Sequence, residues 1–519
     1  MAGRYAETYG SGLYGIEGIL VRIEVSIQNG IPAFEIVGLC GSDVKESRER
    51  VRAAVRNSGY EFPNGRITAN FAPAWIHKEG TGFDLPLALA LLAASGQIPK
   101  MMEQGEVLSF GELSLLGEVR SVNGAICRAG MAKSNGVTGL IVPMGNRLEA
   151  EAIAGIAVYP VRTLKEAIDV WSGRHFDGEV LHSSKATPAE RGLPRSIPVI
   201  QGQGFALRSV EIAAAGMHNL LMVGSPGSGK TVLASLLSFL LPVLEQDEAM
   251  EVTRIYSAAG LLPPSVGLLR DRPFRAPHHT ATAAALVGGG GRPKPGEATL
   301  AHKGVLFLDE VAEFQPHVLE TLRSPCEEGV VRLSRNAVHM TFPSEFVLVA
   351  ASNPCPCGQN FEPHGGCRCS QGAIRSYLSR IGGPLMDRMD LQVEIRKVDA
   401  TSMAATARHS SDLRIDQMKE RIRKAWSVQK VRNKGERFGS WWNSRIPGAE
   451  LESTLGAGPD LLSAAAMEAE RMGLSVRGFH KMLRAARTIA DLDGTAAVSR
   501  NQILEAFAFR SMEKDGDFS

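Results

Sequence analysis

The chain has 519 residues, with 57 Lys and Arg against 55 Asp and Glu and a net charge of +2. Apolar residues make up 44% and charged residues 22%, the balance of a folded globular protein with room for roughly two to four domains. No apolar run is long enough to span a membrane and MAGRYAETYG has no signal-peptide core, so a cytoplasmic protein with reduced thiols is expected; the near-neutral charge decides nothing about nucleic acid.

Residues 1–172 mix strand-like runs at 20–27, 33–37, 67–71, 139–142 and 158–161 with helix-like runs at 43–57, 85–94, 126–133 and 147–154. That mixture predicts an independent α/β domain. Residues 173–195 lack periodicity, carry Pro188 and Pro194, and are expected to be a linker.

The segment 196–400 carries the chemistry. Gly224-Ser225-Pro226-Gly227-Ser228-Gly229-Lys230-Thr231 is a complete GxxxxGKT phosphate loop. It follows an apolar strand-like run at 219–223 and opens a helix-like run at 231–241, the context this motif requires. Its glycines let backbone N–H groups turn toward phosphates, Lys230 reaches the β- and γ-phosphates, and Thr231 holds Mg²⁺. A second apolar strand, 305–308, ends in Asp309-Glu310. Asp309 is placed to assist Mg²⁺ and Glu310 to polarise the attacking water, which makes the chain an ATPase or GTPase. A third apolar strand, 346–351, ends at Ser352-Asn353; Asn353 fits either a contact to the γ-phosphate or attacking water, or a polar strand-end cap.

Four of the seven cysteines, Cys355, Cys357, Cys367 and Cys369, fall within the loop 353–370. Clustered thiols in a reducing compartment suggest a Cys₄ zinc site, with His364 able to replace one ligand; reduced thiols in a glycine-rich loop are the other reading. Residues 401–519 are mainly helical by pattern, with runs at 402–407, 417–429, 460–472, 476–492 and 501–510. The stretch 419–445 holds nine Lys/Arg, two acids and the aromatics Trp426, Phe438, Trp441 and Trp442. It fits either phosphate contacts with base stacking or a solvated face with aromatics packed in the core, and packing is the expectation. His278-His279 fits a pore or metal feature, or a structural turn.

These motifs in this order, with Gly-Val-Leu-Phe-Leu-Asp-Glu at 304–310, Asn353-Pro354-Cys355-Pro356-Cys357-Gly358, Gly383-Pro384-Leu385-Met386-Asp387-Arg388 and Arg487-Thr488-Ile489-Ala490-Asp491-Leu492, resemble the ComM/YifB family. These are magnesium-chelatase-like AAA+ ATPases known as competence-associated DNA helicases. The resemblance covers nearly the whole chain. It implies a Lon-protease-like α/β domain, a three-layer α/β/α AAA+ core using ATP and Mg²⁺, and a helical lid. It also implies that Arg388 is the arginine finger and Arg477 the second sensor arginine. A finger supplied to a neighbour implies a ring, and similar proteins are homohexamers.

The Lon likeness is clearest from Gly111-Glu112-Leu113-Ser114 to Gly124 and at Ile141-Val142-Pro143, but its catalytic serine and lysine fall here at Gly82 and Ile126. Neither can be a nucleophile or base, so no peptidase activity is expected. Two places line the pore in related ATPases: a glycine-rich loop with Arg292 and Lys294, and a hairpin-like segment with Arg332 and Arg335. Both fit DNA backbone contacts or ordinary solvated charge. The reading is a ring-forming ATPase that moves on single-stranded or branched DNA, with a role in integrating transforming DNA implied by the resemblance. A metal-insertion motor, an ATP-switched scaffold and an ATP-dependent protease are the alternatives.

Overall fold

The computed structural model describes residues 4–100, 107–174, 203–290, 294–335, 338–361, 366–397, 411–433 and 440–510. They form two compact units, one from 1–188 with 246–270 and one from 189–245 with 271–519. The expected linker 173–195, the run 402–407 and His364 lie almost wholly outside the described residues.

The first unit is mixed α/β. Its elements are β1 (Arg4–Tyr14), β2 (Glu17–Gln28), β3 (Ala33–Val37), α1 (Ser42–Asn57), β4 (Arg66–Ala72), α2 (Asp84–Ser95), β5 (Val107–Ser109), β6 (Glu112–Leu113), β7 (Val119–Arg120), α3 (Ala125–Ser134), β8 (Gly139–Pro143), α4 (Arg147–Glu151), β9 (Ala157–Val161) and α5 (Leu164–Trp171). Among the described residues, seven strands form one sheet in the order β3-β4-β2-β1-β5-β8-β9. The β1–β2 and β2–β4 pairs are antiparallel, while β3–β4, β1–β5, β5–β8 and β8–β9 are parallel. Helix α2, apolar on every side, is buried along 84–94 as a helix inside a core must be. Its one acid, Asp84, is buried with Ser47 and Arg50 bonded to it.

This unit also takes a segment from inside the stretch read as the ATPase domain. The helix Gln246–Ala258 packs on α3. Its Met250 and Ala258, with Leu268 beyond, lie against the apolar cluster of Ile126, Ala129 and Val142. The N–H of Gly124 donates to the Ser257 carbonyl (3.1 Å), and the Glu149 carboxylate accepts from both the Ile126 N–H (2.9 Å) and the Ser257 hydroxyl. By packing, 246–270 thus goes with the first unit, although in sequence it lies inside the stretch expected to be the ATPase domain. Apolar burial and these bonds hold the segment to α3 and α4.

The second unit is an α/β/α core with a helical region. It begins with α6 (Gly204–Gly216), β10 (Leu220–Gly224) and α7 (Lys230–Leu240), then β11 (Phe274–Arg275), the paired β12 (Gly288–Gly289) and β13 (Lys294–Pro295), and β14 (Val305–Leu308). The hairpin β15 (Val330–Arg335) and β16 (Val338–Pro343) follows, then β17 (Val347–Ser352) and β18 (Leu391–Ile395). The five-stranded sheet among the described residues runs β11-β14-β17-β10-β18, and its neighbouring pairs are all parallel. The sequences LLMVG, VLFL and VLVAAS are buried at every position, the signature of strands covered on both faces. The carboxyl ends of such strands form the crevice where ligands bind.

The helical region comprises Ser411–Arg432, Pro459–Arg471, Val476–Leu492 and Arg500–Ala508. Asp491, fully buried, is held by Arg432 (2.7 Å) and Arg487 (2.9 Å). Trp426 and Trp442 are buried, and Trp441 contacts both rings, so these aromatics of 419–445 are core. Phe438 lies outside the described residues.

Candidate functional site

Strand β10 delivers Gly224 to the sheet's carboxyl edge, where a side chain would strike the Ile395 carbonyl of β18 at 2.4 Å. Gly227 and Gly229 have φ of 77° and 94°, left-handed conformations that favour glycine, before α7 starts at Lys230. The Lys230 ammonium donates to the carbonyls of Gly224 (2.5 Å) and Ser225 (3.0 Å) and to Asn353 Oδ1 (3.3 Å). Burial lowers its pKa, while Asp309 and Glu310 pull the other way.

Strand β14 brings the acidic pair to the same edge. The Thr231 hydroxyl donates to Asp309 Oδ2 (3.2 Å), and Asp309 Oδ1 accepts from the Glu310 N–H (2.9 Å). Thr231, Asp309, Lys230 and Asn353 thus converge from three neighbouring strand ends. A hydroxyl and a carboxylate side by side suit a hard cation such as Mg²⁺. Glu310 has φ of 50°, a left-handed conformation unusual for a residue with a side chain and typical of functional sites. Its carboxylate faces His279 Nδ1 at 3.5 Å, and that ring lies tilted against His278 with centroids 4.1 Å apart. The sequence offered His279 only as a pore, metal or turn residue, and its place beside Glu310 was missed.

The four clustered cysteines come together. Cys355 Sγ lies 3.4 Å from Cys357 and 3.7 Å from Cys367, Cys357 lies 3.6 Å from Cys367, and all four sulfurs are within 4.8 Å of one another. Thiolates about 2.3 Å from one zinc ion sit about 3.8 Å apart at the corners of a tetrahedron, so the set fits zinc. The Gln359 backbone N–H and the Cys355 thiol lower Cys357 to about 6. The loop abuts the phosphate loop: a side chain at Gly358 would meet Pro226 Cδ at 2.7 Å.

Arg388 and Arg477 do not line the same place as Lys230. They line a cavity of about 320 Å³ with Arg445, Lys481, Glu327 and Asp390, and no phosphate-loop residue borders it. Arg388 donates to Glu327 Oε1, and Arg477 approaches that oxygen at 3.7 Å. Burial opposes the Asp390 charge, yet Lys481 at 3.0 Å and His218 hold its carboxyl far below the usual range.

In the hairpin, Arg332 pairs with Thr341 across the strands and binds Glu328. Lys294 is exposed in β13; Arg292 and the hairpin tip 336–337 lie outside the described residues, as does the side chain of Arg335. In the first unit, Ile126 is buried, and a side chain at Gly82 would touch the Arg128 guanidinium at 3.3 Å. Arg128 is itself buried and bonded to Ser11 and Asn123.

Three family models match the chain: magnesium chelatase subunit ChlI over residues 197–403, subunit ChlI of Mg-chelatase over 23–146, and the ChlI C-terminal model over 414–510. The chain is 39% identical to the uncharacterized protein YifB of Salmonella typhimurium, over 96% of each. It is 38% identical to the competence protein ComM of Haemophilus influenzae, over 98% of this chain and 97% of that one. Likeness to the magnesium-chelatase 38 kDa subunit of Cereibacter sphaeroides is 24%, over 60% of this chain and 89% of the subunit.

Proposed function

The chain belongs to the ComM/YifB family of magnesium-chelatase-like AAA+ ATPases, ATP-hydrolysing enzymes, and on that premise we propose that it is a ring-forming motor that moves on single-stranded or branched DNA. In this reading Lys230 and the backbone of 224–231 hold the phosphates. Thr231 and Asp309 hold Mg²⁺, which supplies charge neutralisation on the phosphate oxygens. Glu310 accepts the proton of the attacking water and Asn353 orients the water or the γ-phosphate.

The observation that carries the ring is the pairing of Arg388 and Arg477 on one carboxylate, in a cavity no phosphate-loop residue borders. Cations serving their own subunit's nucleotide belong beside Lys230; in this reading Arg388, released from Glu327, serves a neighbour's γ-phosphate as arginine finger, and Arg477 is the second sensor arginine. A homohexamer is the assembly this reading takes. In this reading Arg292, Lys294, Arg332 and Arg335 contact DNA phosphates. Cys355, Cys357, Cys367 and Cys369 hold one structural zinc. The name of the Haemophilus relative, competence protein ComM, supports a role in competence. No helix among the described residues is long and apolar enough to cross a membrane.

The test is ATP turnover alone and with single-stranded DNA, forked DNA, porphyrin or casein. Salt-sensitive stimulation by DNA supports the proposal. Stimulation by porphyrin alone transfers it to metal insertion, the reading that likeness to the magnesium-chelatase subunit favours. Stimulation by casein with cleavage makes it a protease, and no response to any of them makes it an ATP-switched scaffold.

A further inference from the structure

The Cys₄ loop is built into the nucleotide site. Strand β17 ends at Ser352, whose hydroxyl donates to the Asn353 carbonyl (2.9 Å); Asn353 meets Lys230, and Cys355 follows two residues later, fully buried. The chain then turns back, with the Gly358 N–H donating to the Cys355 carbonyl (2.9 Å). At that turn Gly358 has φ of 77°, and the position of its missing side chain is 2.7 Å from Pro226 Cδ and 4.0 Å from Asn353 Cγ. The turn is therefore wedged between the phosphate loop and Asn353. On its far side, Cys369 precedes Ser370, whose hydroxyl caps the helix Gln371–Leu378 by accepting from the Ala373 N–H (3.2 Å).

We propose that zinc bound by Cys355, Cys357, Cys367 and Cys369 sets the position of Asn353 and Pro226, so that filling this site is required for ATP turnover. The inference rests on reading Lys230, Asp309 and Glu310 as the ATPase site. The physical cause is tethering. Without a metal, the four sulfurs draw only weakly on one another, and the loop from Cys355 to Cys369 regains the entropy that closure removes. The turn at Gly358 then has no fixed seat on Pro226. With four thiolate bonds, the seat is rigid and Asn353 points at Lys230. The phosphate loop is also held by strand β10 and helix α7 on either side, and Thr231 and Asp309 bond to each other, so nucleotide affinity should fall less than turnover.

The experiment uses the full-length protein purified without affinity metal. Zinc is measured per chain, then stripped with a chelator under reducing conditions and added back. Fluorescent-nucleotide affinity and ATP turnover are followed together. The expected result is one zinc per chain, affinity held within a few-fold, turnover lowered by about 10- to 100-fold on stripping, and recovery on adding zinc. Gly358→Ala is the second arm. It leaves the four thiols in place but presses on Pro226 and strains the left-handed turn, so it should keep its zinc, melt a few degrees lower and lose turnover. Zinc-free wild type with full turnover overturns the proposal, as does Gly358→Ala with zinc and full turnover. Failure of the underlying ATPase reading looks different: zinc-loaded wild type without any turnover.

Discussion

Glu327 holds Arg388 in place, the guanidinium donating to Oε1 of the carboxylate, and the same oxygen lies 3.7 Å from Arg477. The Arg445 guanidinium also donates to the Glu327 backbone carbonyl at 3.1 Å. A carboxylate that gathers two arginines occupies the role a phosphate would fill. Glu327 also stands three residues before β15, so the chain runs from this pair straight into the hairpin.

From that pair comes the first expectation. Arg388→Ala should bind ATP as wild type does but turn it over about 10³-fold more slowly or worse, the range for a cation that stabilises charge on a transferring phosphoryl group. Mixing it with Glu310→Gln subunits should restore part of the turnover, because each then supplies what the other lacks. Absence of any restoration would place Arg388 on its own subunit's nucleotide.

Glu310→Gln should bind ATP and assemble, since Lys230, Thr231 and Asp309 are untouched. Removing the base should lower turnover by at least about 10²-fold. Single-turnover ATP hydrolysis measures this directly, and wild-type rates would show that the attacking water is held elsewhere.

Replacing Arg292, Lys294, Arg332 and Arg335 together with Ala should weaken DNA binding across unrelated sequences and flatten its dependence on salt, because fewer condensed counterions are released. DNA-stimulated turnover and unwinding should fall together while basal turnover survives. Unchanged affinity and salt slope would move the DNA surface to another part of the chain.

Glu149→Ala should destabilise the first unit. The Glu149 carboxylate joins the start of α3 to Ser257 of the helix Gln246–Ala258, and all these groups are buried. Orphaning them should cost about 1–3 kcal/mol. Urea unfolding followed by hydrogen exchange at α3 checks it; Glu149→Gln, which keeps an acceptor, should lose less.

The nucleotide site was legible because its signal is local. Gly224 to Thr231, Asp309-Glu310 and Asn353 each sit at the end of an apolar strand, and parallel strand ends meet at one edge. The cysteines were legible for the same reason, by spacing alone. What the sequence hid was long-range. Strand β1 holds Thr8, Gly10, Ser11 and Gly12 and no β-branched apolar residue, yet it is central in the sheet because β2 pairs along its whole length. Nothing near residue 246 announces a partner at residue 127. Likewise Glu327 reads as one acid in the run Cys326-Glu327-Glu328, and only the fold brings it to Arg388.

The borrowed helix Gln246–Ala258 also sets a timetable. A ribosome adds about 5–20 residues per second. Between residues 172 and 270 it therefore works for roughly 5–20 s while the first unit still lacks its last piece. Throughout that interval Ile126, Ala129 and their neighbours await Met250 and Leu268, and the phosphate loop emerges from the ribosome before that face is covered. The nascent chain cannot mature one bead at a time, and that apolar face stays uncovered until residue 270 has cleared the exit tunnel.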